Sequence, residues 1–486
     1  MNTQQSTTVR IVTAASLFDG HDAAINIMRR ILQSKGAEVI HLGHDRSAHE
    51  IVECAIEEDA HGIAITSYQG GHMEFFKYIK DLLDKSGCGH IKIFGGGGGT
   101  ILPKEAEQLH QYGITRIYSP DDGRTMGLEG MVADVIAKCI PGNDNEDKTR
   151  FWKAPAQWTA PLPLGEINDI RKIARAITFA EQNLNFSTIL SSITKTENKA
   201  VAPVIGITGT GGAGKSSVTD EIVRRYLSSF PGKTIAVISV DPSKKKTGGA
   251  LLGDRIRMNA ISGPRVYMRS LATREDNTAI SKVANQAIAI CKTAGYDCII
   301  LETAGTGQSD MSIVDYCDVS VYIMTPEYGA ASQLEKINML DYADIIAINK
   351  FDKAGAEDAL NDVRKQYKRN HQLFGASNKA LPVIGICANT FNDTRVNHFF
   401  ALLIEKIKEK TGISWNNAAT GFSENKRGRQ DAIVIPPRRV RYLSEISDSI
   451  REYNRWANEQ SIIASQLYQV TGAMQLLKTE KENTVE

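Results

Sequence analysis

The sequence predicts an α/β protein with two doubly wound parallel-sheet domains and a helical C-terminal tail. Three observations predict it: short apolar segments alternate with amphipathic ones in two separate stretches, a proline-rich interval divides those stretches, and a polar stretch precedes a final helical pattern. A chain of 486 residues also has room for two to four domains, since one domain usually takes about 100–200 residues.

The first predicted domain spans residues 1–142 and holds five strands. Helical patterns such as AAINIMRRILQSKG (23–36) separate them, and this one ends on a glycine, as helices often do. Strands that alternate with helices form parallel sheets. The strands are predicted in VRIVTAAS (9–16), AEVIHLG (37–43), GIAITS (62–67), HIKIFGG (90–96) and ITRIYSP (114–120).

Residues 143–195 are assigned to a linker and a helix, because prolines and mixed charges interrupt the alternation at 140–165 and helical periodicity returns at 167–184. The second domain, 196–415, has strands that are almost continuous in Ile, Val and Ala, which is typical of a sheet covered by helices on both faces. Residues 416–486 are assigned to a basic linker with RRVR (438–441) and a helical tail. The second-domain strands are predicted at 202–209, 233–241, 296–305, 318–326, 343–350 and 381–389.

Composition narrows the class of protein and its partners. Lys+Arg total 57 against Asp+Glu 56, a net charge of +1, which argues against a chain that coats nucleic acid or an anionic membrane. No apolar run approaches the roughly 18–20 residues of a membrane span, and the N-terminus lacks a signal-peptide pattern. The 7 cysteines are scattered without CxxC, so we expect no disulfide framework and a cytoplasmic protein.

A phosphate-binding loop is predicted where the second domain begins. The run GTGGAGKS (209–216) follows a strand and opens a helix, which is the context that a P-loop requires. Its backbone N–H groups and the helix N-terminus would bind phosphate oxygens, Lys215 would reach the β- and γ-phosphates, and Ser216 would bind Mg²⁺. The predicted phosphate-binding residues are Gly209, Gly211, Gly212, Ala213, Gly214, Lys215, Ser216 and Ser217.

The motif Asn349-Lys350-Phe351-Asp352 predicts that the base is guanine. A carboxylate can accept two hydrogen bonds from N1–H and the exocyclic amine of guanine, and adenine offers no such pair of donors. Asp352 would therefore select GTP over ATP. Ala388 and Asn389, after the next strand, could complete the base pocket.

Carboxylates that follow the neighbouring strands predict the magnesium shell. Glu302 closes an apolar strand where P-loop proteins place an acidic residue, and it would contact the metal through water or orient the attacking water. Asp241 and Asp254 flank a Lys- and Gly-rich loop that could close on Mg²⁺. Arg257 on the same segment could neutralise transition-state charge in cis, or belong to a solvated basic loop.

A second site is predicted at the carboxyl ends of the first domain's strands, where open α/β sheets bind ligands. His21 could bind a transition metal through one nitrogen while a nearby carboxylate fixes the other. Glycines after neighbouring strands suggest a slot for a long cofactor tail. The residues assigned to this site are Asp19, Gly20, His21, Asp22, Ser67, Gln69, Gly95, Gly96 and Gly97.

The run DGHDAA (19–24), Ser67 and GGGGG (95–99) together resemble the cobalamin-binding domain of adenosylcobalamin-dependent acyl-CoA mutases, with their DxHxxG, SxL and GG pattern. The resemblance implies a flavodoxin-like fold and cobalt ligation by His21 from the lower face of the cofactor. The sequence departs from the pattern with Ala24 for the last glycine and Gln69 for leucine, as in the fused isobutyryl-CoA mutase branch.

The second domain resembles MeaB-type G-protein chaperones in its P-loop, in residues 240–258 and 302–310, and in NKFD. That family couples GTP hydrolysis to the loading of cobalamin onto a mutase and to the removal of damaged cofactor. The resemblance implies that Asp241 and Asp254 bind Mg²⁺, that Arg257 is a catalytic-loop arginine, and that Lys336 is part of a conformationally responsive switch.

The combined resemblance implies a cobalamin-binding GTPase that serves as small subunit and cofactor-loading and repair chaperone of an isobutyryl-CoA mutase type of enzyme. Adenosylcobalamin, GTP/GDP and Mg²⁺ are the expected cofactors. Since no substrate barrel follows before Glu486, we expect the barrel on a separate chain. An adenosyltransferase that delivers cobalamin, and a homo-oligomer or heterotetramer, are further expected partners. The alternative is a cobalamin-status sensor that signals to the GTPase without mutase chemistry.

Overall fold

The computed structural model describes residues 8–140, 169–181, 202–244, 247–273, 283–305, 311–328, 334–378, 380–390, 392–415 and 442–483. The chain forms two compact units, Met1–Phe422 and Ser423–Glu486, and each is described by itself below. The predicted linkers at 143–168, 182–195 and 416–441, including RRVR, lie outside the described residues. The predicted α/β class with parallel sheets is confirmed.

The first sheet contains the five predicted strands in the order β5-β4-β3-β1-β2, all parallel. Its apolar side chains fill one core on each face, because the buried strands are apolar on both sides. The strands are β1 (Arg10–Ser16), β2 (Glu38–Arg46), β3 (Gly62–Thr66), β4 (Lys92–Gly96) and β5 (Arg116–Tyr118). The helices are α1 (Ala23–Ser34), α2 (Ala48–Glu57), α3 (His72–Lys85), α4 (Pro103–Tyr112) and α5 (Pro120–Cys139).

The second sheet has seven parallel strands in the order β13-β12-β11-β6-β10-β7-β9, with the P-loop strand β6 at its centre. Its strands are β6 (Val204–Gly209), β7 (Ile235–Asp241), β9 (Val266–Ala272), β10 (Cys298–Glu302), β11 (Val319–Met324), β12 (Ile345–Ile348) and β13 (Val383–Gly385). The helices that accompany it are α6 (Ile170–Glu181), α7 (Lys215–Ser229), α8 (Ala284–Thr293), α9 (Met339–Tyr342), α10 (Ala356–Asn370) and α11 (Thr394–Thr411).

One strand crosses from the second domain into the first sheet. The stretch 241–254 was expected to be a loop, but its apolar residues Ala250–Leu252 form β8, which pairs in parallel with β2 and extends the first sheet to six strands. Strand β9 was also not predicted. It carries Arg269 at its centre, and this fully buried guanidinium obscures the apolar character of the segment.

The second compact unit is described by one element, the helix α12 (Tyr442–Asn483). Its 42 residues confirm the predicted helical tail. Apolar side chains at Ile450, Tyr453 and Trp456 are exposed on it. No helix in the described ranges is long and apolar enough to cross a membrane.

Candidate nucleotide and cobalamin sites

The P-loop connects β6 to α7 in the geometry that its glycines require. Gly212 and Gly214 have φ angles of 74° and 89°, in the left-handed region that other residues rarely adopt. A side chain at Gly209 would overlap the carbonyl of Ile323 on the neighbouring strand. The Lys215 Nζ lies 3.4 Å from the Gly209 carbonyl oxygen, and this lysine is buried at the start of α7. The two ends of the loop are therefore joined by the contact between the Lys215 ammonium group and the Gly209 carbonyl.

Asn349 joins the predicted guanine-binding segment to the P-loop. Its Nδ2 donates to the Ala213 carbonyl at 2.9 Å, and its Oδ1 accepts from the Ala388 amide at 3.1 Å. Lys350 Nζ donates to the Gly212 carbonyl at 2.8 Å. Three segments distant in sequence thus meet at one end of the sheet, as the motifs predict.

Asp352, the carboxylate predicted to select guanine, is exposed beside this junction. The thiol of Cys387 lies 3.8 Å from Asp352 Oδ1, at the long end of a sulfur hydrogen bond. Ala388 is buried directly after Cys387. Sequence reasoning named Ala388 and did not name Cys387, although the thiol is the group that contacts the carboxylate.

Ser216 lies between two of the predicted magnesium-shell carboxylates. Its hydroxyl is 2.9 Å from Asp254 Oδ1 and 2.8 Å from Glu302 Oε1. Thr219, one turn later in α7, donates to the other Glu302 oxygen at 2.8 Å. Ser239 donates to the second oxygen of Asp254. Neither Thr219 nor Ser239 was predicted, because single hydroxyl residues inside an element carry no motif.

The charges of this cluster suit a divalent cation. Burial and the neighbouring charge of Asp254 raise the pKa of Glu302 to about 8, although hydrogen bonds from Ser216 and Thr219 lower it. Burial and the charges of Asp254 and Glu302 also raise the pKa of Asp241 well above its usual value. No three His, Cys, Asp or Glu side chains of the described residues form a ready-made metal cage. Mg²⁺ usually takes one or two carboxylates and completes its shell with phosphate oxygens and water, so these donors fit it.

The two basic residues that the resemblance placed near this site are exposed. Arg257 ends a short 3₁₀ turn, Asp254–Arg257, that follows β8. Lys336 lies shortly before α9 in the sequence. Their predicted roles remain predictions.

His21 has one ring nitrogen fixed and the other available. Nδ1 lies 2.8 Å from Asp19 Oδ1, and the imidazole side chain is 72% exposed. Burial tends to raise the pKa of Asp19, but hydrogen bonds from the Tyr68 amide and from His21 outweigh it and lower the pKa. An ionised carboxylate only accepts, so Nδ1 carries the proton of this pair. A neutral imidazole held in this way would have its lone pair on Nε2, as a metal ligand needs.

The loops after β1 and β3 hold this pair together. Asp19 is fully buried and accepts from the Tyr68 amide at 2.6 Å. Gln69 donates through Nε2 to the Phe18 carbonyl, and the hydroxyl groups of Ser16 and Ser67 are 2.9 Å apart. The Ser67 hydroxyl is therefore already hydrogen-bonded within the fold, to Ser16.

Close packing within the fold explains the glycines at the end of β4 and directly after it. A Cβ on Gly95 would overlap the ring of Phe76, and one on Gly97 would overlap the Ser67 carbonyl. A Cβ on Gly96 would lie 3.4 Å from the Tyr118 carbonyl, while Gly20 faces open space. Asp22 begins α1 and accepts from Asn26 at 3.1 Å. This packing accounts for Gly95 and Gly97 without a cofactor, and the cofactor contacts of these residues stay predictions.

Comparison with known proteins resolves the family. The model of the methylmalonyl-CoA mutase-associated GTPase MeaB matches residues 173–434, more than half of the chain. The chain belongs to the MeaB family. The B12-binding domain model matches residues 9–121. This MeaB protein thus carries a B12-binding domain ahead of its GTPase domain, as the resemblance implied.

Two similar proteins are more than twice as long as the part of them that this chain matches. The protein is 51% identical to the fused isobutyryl-CoA mutase of Geobacillus kaustophilus over 98% of its own length and 43% of that protein. It is 50% identical to the fused isobutyryl-CoA mutase of Cupriavidus metallidurans over 97% of its length and 42% of that protein. This MeaB chain therefore spans less than half the length of these two relatives.

Sequence reasoning missed a buried charge cluster where the B12-binding and GTPase domains meet. Arg10 of β1 lies 2.6 Å from Glu38 and 3.1 Å from Glu181 of α6. Arg269 of β9 also pairs with Glu181, at 2.6 Å. Buried charges are stable only when paired, and their partners lie far apart in sequence. A charged residue in a strand was the only signal, and it does not identify a partner.

Proposed function

We propose that this protein is a cobalamin-carrying GTPase that acts as the small subunit and the cofactor-loading and repair chaperone of an acyl-CoA mutase of the isobutyryl-CoA type. The observation that carries the proposal is the presence, in one compact unit, of an exposed imidazole with a fixed tautomer and a P-loop joined to a guanine-selecting segment. The names of its relatives supply the isobutyryl-CoA class of substrate.

In the proposed GTPase reaction, Lys215 and the P-loop amides bind the phosphates and Asp352 selects guanine. Ser216, Asp241 and Asp254 hold the metal side of the site, and Glu302 orients the attacking water. Mg²⁺, when bound, neutralises charge that develops on the phosphate oxygens. Arg257 supplies a further positive charge from within the chain. Phosphoryl transfer needs positioning and charge more than covalent chemistry, and these residues can supply both.

In the proposed cobalamin site, His21 would hold the cofactor through Nε2, and Asp19 holds the imidazole ring through Nδ1. Adenosylcobalamin, when bound, supplies radical chemistry for a rearrangement. Gly20, Asp22, Ser67, Gln69, Gly95, Gly96 and Gly97 are proposed to line the path of the cofactor tail. The acyl-CoA site belongs to a substrate barrel that we assign to a separate chain.

The proposed partners follow from this division of labour. A mutase subunit that carries the barrel binds the chain, which is either a homo-oligomer itself or part of a heterotetramer. An adenosyltransferase delivers the cofactor. All seven cysteines are free thiols, which fits a reducing compartment, and we propose the cytoplasm. The chain does not depend on nucleic acid or a membrane for this role.

Binding and hydrolysis measured on one preparation test the proposal. We expect GTP-dependent phosphate release, and a bound cob(II)alamin spectrum with histidine nitrogen coupling. Lys215→Ala should abolish hydrolysis and leave cobalamin binding intact, because the two sites use different sheets. His21→Ala should do the reverse. A preference for ATP, or no cobalamin binding, would contradict the proposal, and cobalamin-dependent hydrolysis that no barrel subunit alters would favour the sensor alternative.

A further inference from the structure

The segment Ala250–Arg257 carries a predicted magnesium ligand but is held by the B12-binding domain. Its strand β8 pairs with β2 through Glu38↔Ala250, Val39↔Leu251 and Ile40↔Leu252. Asp254 follows two residues after the strand. The backbone that presents this carboxylate to the nucleotide site is thus an edge strand of the first sheet.

The side chain of Arg255, the residue after Asp254, also anchors this segment to the B12-binding domain. Arg255 is 4% exposed, and its Nε donates to Glu58 Oε1 at 2.8 Å. Its NH2 donates to the Met268 carbonyl at 2.5 Å and lies 2.8 Å from Glu57 Oε2. Glu57 and Glu58 lie at the end of α2, in the B12-binding domain.

Glu58 is itself immobilised. It is fully buried and accepts from the Ser270 amide at 3.0 Å, and a guanidinium nitrogen of Arg10 lies 3.4 Å from its other oxygen. A buried carboxylate with several donors cannot move without leaving charges unpaired. Arg255 is therefore held against a fixed anchor.

On the opposite side, Asp254 contacts the nucleotide site directly. Its two oxygens accept from Ser216 at 2.9 Å and from Ser239. Arg257 follows at the end of the same short turn. Arg255, whose guanidinium is anchored, is the next residue after Asp254, the predicted metal ligand.

We propose that Glu58 is a positioning residue for GTP hydrolysis: it holds Arg255, and through that residue it fixes Asp254 and Arg257 at the nucleotide site. The inference rests on the proposed GTPase function and deepens it, because it makes the B12-binding domain part of the hydrolytic machinery. Displacement of a positioned group by about 1 Å can cost on the order of 100-fold in rate. Removal of one carboxylate is expected to cost about tenfold or more, since β8 remains paired.

The test compares Glu58→Gln with Glu74→Gln in the full chain, using Mn²⁺ as the spectroscopic probe and GDP as the nucleotide. Glu58→Gln should weaken Mn²⁺ binding to the GDP complex about tenfold or more and lower kcat for GTP similarly. GDP affinity without metal should stay within about twofold, because phosphate and base contacts lie elsewhere. Glu74 is an exposed carboxylate in the first turn of α3, so its replacement by glutamine should change both measurements less than about twofold.

Two further variants separate a loss of positioning from a failure to fold. Glu58→Asp, which keeps the charge, should recover part of the Mn²⁺ affinity. If Glu58→Gln does not fold, Arg255→Lys tests the same contact from the other side and should show the same loss. Unchanged Mn²⁺ affinity, or equal losses in the Glu74 and Glu58 variants, would overturn the inference. An unaltered chain that binds Mn²⁺ and GDP but hydrolyses no GTP would refute the proposed GTPase, and the Mn²⁺ comparison would still test whether Glu58 positions Asp254. A chain that binds neither would refute both.

Discussion

Replacement of Asn349 by alanine probes the junction on which the nucleotide site depends. The side chain is 3% exposed and makes two hydrogen bonds, to the Ala213 carbonyl at 2.9 Å and from the Ala388 amide at 3.1 Å. Alanine would leave both backbone groups buried without partners. Each such group costs about 1–3 kcal/mol, so the free energy of unfolding should fall by about 2–6 kcal/mol.

Urea unfolding of the nucleotide-free protein measures this loss directly. Asn361→Ala is the matched control, because it removes an exposed amide from α10, and it should change the free energy of unfolding by less than about 0.5 kcal/mol. GTP affinity should also fall in Asn349→Ala, because the P-loop and the base-binding segment lose their shared contact. Equal stability of the two variants would refute the reasoning.

Three further changes test individual sites. His21→Ala should remove histidine nitrogen coupling from the electron paramagnetic spectrum of bound cob(II)alamin, and exposed His44→Ala should not; persistence of the coupling in His21→Ala would exclude His21 as ligand. Asp352→Asn should weaken GTP binding in calorimetry by several kcal/mol, about the cost of an unmatched polar edge, whereas Asp358→Asn should not. Burial raises the pKa of Glu57 from 4.5 to about 8. Protonated Glu57 therefore stabilises the fold fully below pH 4.5, and this contribution is lost as the pH rises through 8. Glu57→Gln should flatten the fall in the free energy of unfolding over that window, and exposed Glu74→Gln should not.

Motifs and periodicity predicted the elements whose causes are local. The P-loop glycines, the helix after them and the apolar strands of both sheets follow from conformational freedom and residue period, which the chain carries within a few residues. The Asn349 segment was also predicted, because its function requires adjacency to the P-loop. What the motif did not show is that Asn349 binds two other segments through both ends of its amide.

The elements that sequence reasoning missed depend on distant partners. Strand β8 is three residues long and has its partner β2 more than 200 residues earlier. No motif predicted the partners of Arg255 and Arg269, because only the fold brings Glu58 and Glu181 beside them. Gly95 and Gly97 were predicted to open a cofactor slot, and the structure shows that Phe76 and the Ser67 carbonyl already leave no room for side chains there.

Reconstitution of mutase turnover tests the central claim most directly. The purified chain is mixed with adenosylcobalamin, a candidate barrel subunit and isobutyryl-CoA, and butyryl-CoA is measured with and without the barrel. The account predicts no product from the chain alone, product with the barrel, and loss of that product when His21→Ala replaces the unaltered chain. Turnover by the chain alone, or reconstituted turnover that His21→Ala leaves unchanged, would contradict it.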